Sequence, residues 1–182
     1  MNPDPGLLLI NPKFASNVGS ALRTCALLGI STLGWTGHRV PDPALWPEGT
    51  RLPREERMRC YQRTELRYID DEFRPIDAIN HGGMTPVCVE IVPGAVPLDV
   101  FEHPQNALYV FGPEDGDIPK GIRHACHHFV SIPNAIDPED VDGRTPYNLS
   151  VAISLVLFHR LLQKRELERD ALFEYKGHKV AR

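Results

Sequence analysis

The stretch Ala107-Leu108-Tyr109-Val110-Phe111-Gly112-Pro113-Glu114-Asp115-Gly116-Asp117-Ile118-Pro119 spells out one unit of the fold. Its first five residues are apolar or aromatic and end at a glycine, as a buried strand does. Gly112 and Gly116 bound a tight loop in which backbone can approach a ligand closely. Pro119 suits a first helical turn and starts a helix to about Ala125. Phe129-Val130-Ser131-Ile132 follows as a strand. The same alternation runs upstream. Leu7-Leu8-Leu9-Ile10 reads as a short buried strand, ended by Asn11-Pro12-Lys13. Asn17 can cap a helix carrying Val18, Leu22, Cys25 and Ala26 on one face, and Gly29 suits its C-cap. Further strands are expected at Ser31 to Thr36, Arg67 to Ile69 and Pro86 to Ile91, with short helices at Arg54 to Cys60 and Phe73 to Asn80. A long helix is expected from about Asn148 to past Arg165. Its first half, Leu149 to Phe158, is apolar nearly all round and should be buried; its second half is charged and should face solvent. Strands alternating with helices imply an α/β fold, a mostly parallel sheet with helices on both faces.

A chain of 182 residues is most simply one domain, here with a charged C-terminal helix or tail from about residue 160. It can bury a core without disulfides or metal. No apolar run is long enough to span a bilayer, and the polar start from Met1 to Gly6 is no signal peptide. A cytoplasmic location is expected by default. Cys25, Cys60, Cys88 and Cys126 form no CxxC pair and read as reduced thiols, three of them in the core. The net charge of −4 argues against a broad polyanion-binding surface, yet basic residues cluster. One group is Arg51, Arg54, Arg57, Arg59, Arg63 and Arg67, a candidate phosphate strip; another is His159, Arg160, Lys164, Arg165 and Arg169.

Three segments carry chemistry. In Asn17-Val18-Gly19-Ser20-Ala21-Leu22-Arg23 the plain reading is a capped helix with a solvent arginine. In Phe111-Gly112-Pro113-Glu114-Asp115-Gly116 it is an acidic turn, since the loop lacks the lysine of a phosphate loop and its carboxylates would repel phosphate. In Pro146-Tyr147-Asn148-Leu149-Ser150 it is an N-capped helix. The order and spacing of the three resemble the SPOUT class of methyltransferases, in particular the SpoU/TrmH-type RNA ribose 2'-O-methyltransferases. The resemblance covers roughly residues 7 to 162.

That resemblance implies a deep trefoil knot near the C-terminus, a homodimer, S-adenosylmethionine as cofactor and RNA, either tRNA or rRNA, as substrate. No membrane and no metal are implied. It places Arg23, Asn17, Glu114 and Asn148 in the catalytic group. Val89, Glu90, Gly112, Ile132, Asn134, Tyr147 and Asn148 fall to the cofactor. The chain departs from the family pattern at Pro146, where serine is usual, at Tyr147, where a smaller aliphatic residue is usual, and at Asn134, which replaces a common methionine. Thr145 is a candidate for the missing hydroxyl. Arg23 can hold a phosphate and stabilise charge developing on the acceptor oxygen, or serve as base with phosphate assistance; its high pKa makes the second role harder. Two other readings stay open: a non-catalytic SAM- or RNA-binding module, and a SPOUT enzyme that methylates an RNA base.

Two further clusters are set aside. His124, Cys126, His127 and His128 straddle a helix-to-strand transition, and adjacent histidines do not easily converge on one ion. Asp137 to Gly143 is acidic but misses the register of a calcium loop, and reads as a solvated turn.

Overall fold

A computed structural model describes residues 4–48, 63–69, 83–136 and 145–175 of the chain. The expected helices at 54–60 and 73–80, the acidic turn at 137–143, Cys60 and most of the first arginine group lie outside the described residues.

Among the described residues seven strands form one sheet: β1 (Gly6–Leu9), β2 (Thr32–Thr36), β3 (Glu65–Ile69), β4 (Thr85–Val89), β5 (Val96–Pro97), β6 (Ala107–Phe111) and β7 (His128–Ser131). Their order is β3-β2-β1-β6-β4-β7-β5, and every pairing is parallel. The described helices are α1 (Ala15–Leu28), α2 (Lys120–His124) and α3 (Leu149–Tyr175).

Successive strand residues point to opposite faces, so each core strand serves two layers. Leu7, Leu9, Leu33, Trp35, Val87, Tyr109 and Phe111 meet Val18, Leu22 and Cys25 of α1 and Ile153, Val156 and Leu157 of α3. On the other face, Leu8, Ile10, Cys88, Leu108 and Val110 meet Ile118, Ile122 and Cys126. Helices therefore cover both faces, which explains the near-continuous apolar strands. Cys25, Cys88 and Cys126 are buried free thiols, as expected for core positions. Among the described residues no helix is long and apolar enough to cross a membrane.

Two local expectations are corrected. Asn17 is not the cap of α1: the helix begins at Ala15, Phe14 stands at the N-cap without a side-chain bond, and Asn17 is buried in the first turn. Its side chain is taken by a distant carboxylate instead. Gly29, by contrast, does end the helix in the left-handed region at φ 74°. Second, the first half of α3 is not wholly buried. Leu149, Ile153, Val156 and Leu157 are covered, but Val151, Leu155 and Phe158 are exposed. α1 and the sheet cover part of the helix surface and leave these three uncovered. In the loop after β6, Gly112 and Gly116 lie outside the left-handed region. At Gly112 the need is space: a Cβ there would sit 3.0 Å from Ile118 Cγ1 and 3.3 Å from the Ile118 backbone nitrogen.

Candidate active site

The carboxyl ends of β4, β6 and β7 open into a cleft of about 380 Å³, within the ~300–1,000 Å³ range of small-molecule sites. Parallel sheets place ligands at this edge because the loops that follow the strands converge there. The β4 end supplies Val89, Glu90 and Ile91; the loop after β6 supplies Gly112 to Glu114 and Gly116. Ile132 follows β7, and Pro146 to Leu149 with Ala152 come from the start of α3. The lining is mainly apolar, with the carboxylates of Glu90 and Glu114 set into it.

Glu114 is held at both oxygens. Asn17 Nδ2 donates to Oε1 at 2.6 Å, and the backbone N–H of Lys13 donates to Oε2 at 2.7 Å. The next residue, Asp115, is clamped by Arg39 at 2.6 Å and by Lys13 Nζ at 3.3 Å. These neighbours hold the Asp115 carboxyl below its usual range, the Arg39 bond first among them. Glu90 Oε2 accepts from the backbone N–H of Ile118 at 3.1 Å, so the carboxylate at the end of β4 fastens the loop after β6.

Asn148 caps α3. Its Oδ1 accepts from the backbone N–H of Ser150 at 3.0 Å and from Ser150 Oγ at 2.7 Å. Two cross-links bring the end of β7 to the start of α3. Asn134 Nδ2 donates to the Thr145 carbonyl, and Tyr147 OH donates to the Pro133 carbonyl, each at 3.2 Å. Asn134 thus ties the end of β7 to the start of α3 and is not part of the cleft lining.

The expected site residues fall into two places. Glu114, Asn148, Val89, Glu90, Gly112, Ile132 and Tyr147 line one cleft, and Asn17 joins it through Glu114. Arg23 does not line it. Arg23 is exposed on α1 in a separate groove with Ser20, Thr24, Leu27, Val151, Leu155 and Phe158. The sequence reading missed Phe14, which lines the cleft while remaining 51% exposed, and the Lys13–Asp115–Arg39 clamp. Phe14 left one signal, an aromatic directly before a helix at a position that no apolar face demands. The clamp joins residues 76 apart and left none.

The family described as the SpoU rRNA Methylase family matches residues 5–158. No curated protein sequence matches the chain. Among solved structures, an rRNA methyltransferase from Sinorhizobium meliloti aligns with a TM-score of 0.67 at 19% identity, over 87% of this chain and 57% of the other. The SpoU methyltransferase AviRb from Streptomyces viridochromogenes, solved with AdoMet, aligns with a TM-score of 0.68 at 17% identity, over 90% of this chain and 59% of its own. A structure described as giving insights into the 2-OH methylation of C/U34 on tRNA aligns with a TM-score of 0.63 at 21% identity, over 90% of this chain and 99% of that one. The chain thus spans less than two thirds of the first two relatives. At these identities the likeness is one of fold, while the family match runs from residue 5 to residue 158. With its all-parallel sheet and the three motif segments set around one strand-end cleft, the chain belongs to the SpoU rRNA methylase family.

Proposed function

We propose that this chain transfers a methyl group from S-adenosylmethionine to a ribose 2'-hydroxyl of RNA, with tRNA or rRNA as substrate. The observation that carries the reading is the mouth of the cleft. There Glu114, fixed through both oxygens by Asn17 and Lys13, joins a lining drawn from the second and third motif segments, and Asn17 of the first is tied to it. Family membership supports RNA methylation, and the AdoMet-bound relative supports the cofactor.

The cleft residues fit that cofactor. Val89, Ile91, Ile132 and Leu149 offer apolar surface suited to an adenine ring. The carboxylates of Glu90 and Glu114 favour a cationic ligand over an anionic one. S-adenosylmethionine, when bound, supplies a methyl group on a sulfonium, an activated donor. What remains for the protein is to align the acceptor and help its hydroxyl lose a proton. Glu114 and Asn17 form a fixed hydrogen-bonding pair at the acceptor side of the cleft. Asn148 holds the first turn of α3 against the cofactor side. Arg23 offers a planar fork suited to the phosphate next to the acceptor ribose and to charge developing on its oxygen. Its service as the base, with proton transfer to that phosphate, is the second role kept for it. Turnover near normal in Arg23→Lys argues against both, because lysine lacks the fork.

The same reading makes the chain a homodimer with a trefoil knot near its C-terminus. Leu27, Val151, Leu155 and Phe158 form an uncovered apolar groove around Arg23. A second copy laid on this face puts Arg23 at the subunit boundary, where the active site is then completed.

The test is methyl transfer from labelled S-adenosylmethionine into total tRNA and rRNA, wild type beside Arg23→Ala. Incorporation that vanishes with Arg23→Ala, in linkages that resist alkaline hydrolysis, supports the reading. Label in alkali-sensitive product moves the acceptor to a base. Absence of label despite calorimetric cofactor binding leaves a binding module.

A further inference from the structure

The lining of the cleft includes a half-exposed aromatic ring. Phe14 stands at the N-cap of α1, half exposed at 51%, with Lys13 Nζ above its ring 5.5 Å from the centroid. Large apolar side chains elsewhere on α1 that face the sheet are fully covered, Val18 and Leu22 among them. Tyr147, a second exposed ring, lines the same cleft and is fixed by its bond to Pro133.

The charges around Phe14 are sorted. Both oxygens of Glu114 are engaged by Asn17 and Lys13, and both oxygens of Asp115 by Arg39 and Lys13. The carboxylates are thus occupied by protein donors. Lys13 and Arg39 keep 45% and 39% of their side-chain surface in solvent. A half-exposed ring beside two partly exposed cations, both also paired to Asp115, is complementary to one ligand chemistry, a nucleobase with its neighbouring phosphates. Bases stack on aromatic faces, and lysine and arginine hold the backbone.

We propose that Phe14 is the stacking platform for an unstacked base at the acceptor, with Lys13 and Arg39 on the flanking phosphates. The preferred RNA is then a single-stranded loop, because a base inside a helix cannot reach the ring. This rests on the methyl-transfer reading above and names its substrate class.

The experiment measures binding of wild type, Phe14→Leu and Phe14→Trp to a mixed-sequence oligoribonucleotide of roughly 12 nucleotides, single-stranded and as a duplex. Leucine keeps an apolar lining without a π-face, and tryptophan restores one. Wild type is expected to prefer the single strand. Phe14→Leu is expected to bind it roughly tenfold more weakly, with tryptophan restoring affinity and duplex binding unchanged. Lys13→Gln and Arg39→Gln should each lower the slope of log K against log salt by about 0.7. A duplex preference, or single-strand binding equal in Phe14→Leu and wild type, overturns the platform. Methyl transfer by wild type, measured alongside, separates the two ideas. Transfer that survives Phe14→Leu with an unchanged KM for RNA sinks the platform and leaves the enzyme reading intact. Loss of the tryptophan-rescued binding pattern is likewise independent of whether any methyl is transferred.

Discussion

Glu114 receives two N–H groups, and that fixes what a neutral replacement does. A glutamine side chain would be isosteric, yet one of its two terminal positions is an amide that donates. Either Asn17 Nδ2 or the Lys13 N–H would then face a donor at the 2.6–2.7 Å separations seen here. Glu114→Gln should lower methyl transfer at least about tenfold and stability by about 1 kcal/mol. Paired kinetics and denaturant midpoints read both, and unchanged turnover would remove Glu114 from the mechanism. At this scale the sequence offered residue types without partners. Asn17 and Glu114 each stood out as polar residues near glycine, but their bond spans 97 positions and no local pattern encodes it. The cap expected of Asn17 failed for that reason. A side-chain oxygen and amide that suit an N-cap suit a carboxylate equally, and the tertiary partner won.

The long helix α3 runs from the cleft to the segment that leads into the central strand β6. Its first turn is capped by Asn148, and its middle meets the segment before β6. There His103 Nδ1 lies 2.6 Å from Tyr109 OH, and its Nε2 lies 2.9 Å from His159 Nδ1. Asn148→Ala should cost ~1 kcal/mol by removing the cap, and it should weaken cofactor binding as well, because the same turn lines the cleft. Calorimetry with S-adenosylmethionine checks the second effect; loss of stability with unaltered affinity would make Asn148 a cap alone. Burial, with His159 and Arg160 nearby, holds His103 down to about 4, against an ordinary value near 6.5. The unfolded chain therefore binds more protons between pH 6.5 and 4, and stability falls as pH drops through that window. After a discount for its partial exposure the effect is about 1–2 kcal/mol. Chemical denaturation at pH 7 and pH 4.5 should show a smaller loss in His103→Gln than in wild type; equal losses would assign the acid sensitivity elsewhere. Most elements were legible because each core strand carries its own apolar run. The strand β5 was not, because Val96–Pro97 is two residues long and one of them is proline.

At the scale of the molecule, the informative disagreement is the half-buried start of α3. An all-round apolar helix predicts burial on every side, and the single chain supplies cover for only part of it. Leu27 remains 64% exposed and Phe158 52%, together with Val151 and Leu155 around one groove. Scattered exposed side chains need no explanation, but a contiguous groove of this kind marks an interaction surface. The composition could announce an apolar helix; it could not say which faces a lone chain leaves open. Two-fold pairing is the commonest way to cover such a surface with a copy of itself. The position of Arg23 makes the pairing consequential, since the arginine lies on this groove and outside the lining of the cleft. Leu155→Glu, which puts a charge into this exposed apolar groove, should convert the proposed dimer to a monomer in sedimentation analysis. It should abolish most methyl transfer while leaving S-adenosylmethionine binding near the wild-type value, because the cleft is built within one chain. A monomeric wild type, or a monomeric Leu155→Glu with full activity, would separate Arg23 from any subunit boundary and require the arginine to reach its acceptor along its own chain.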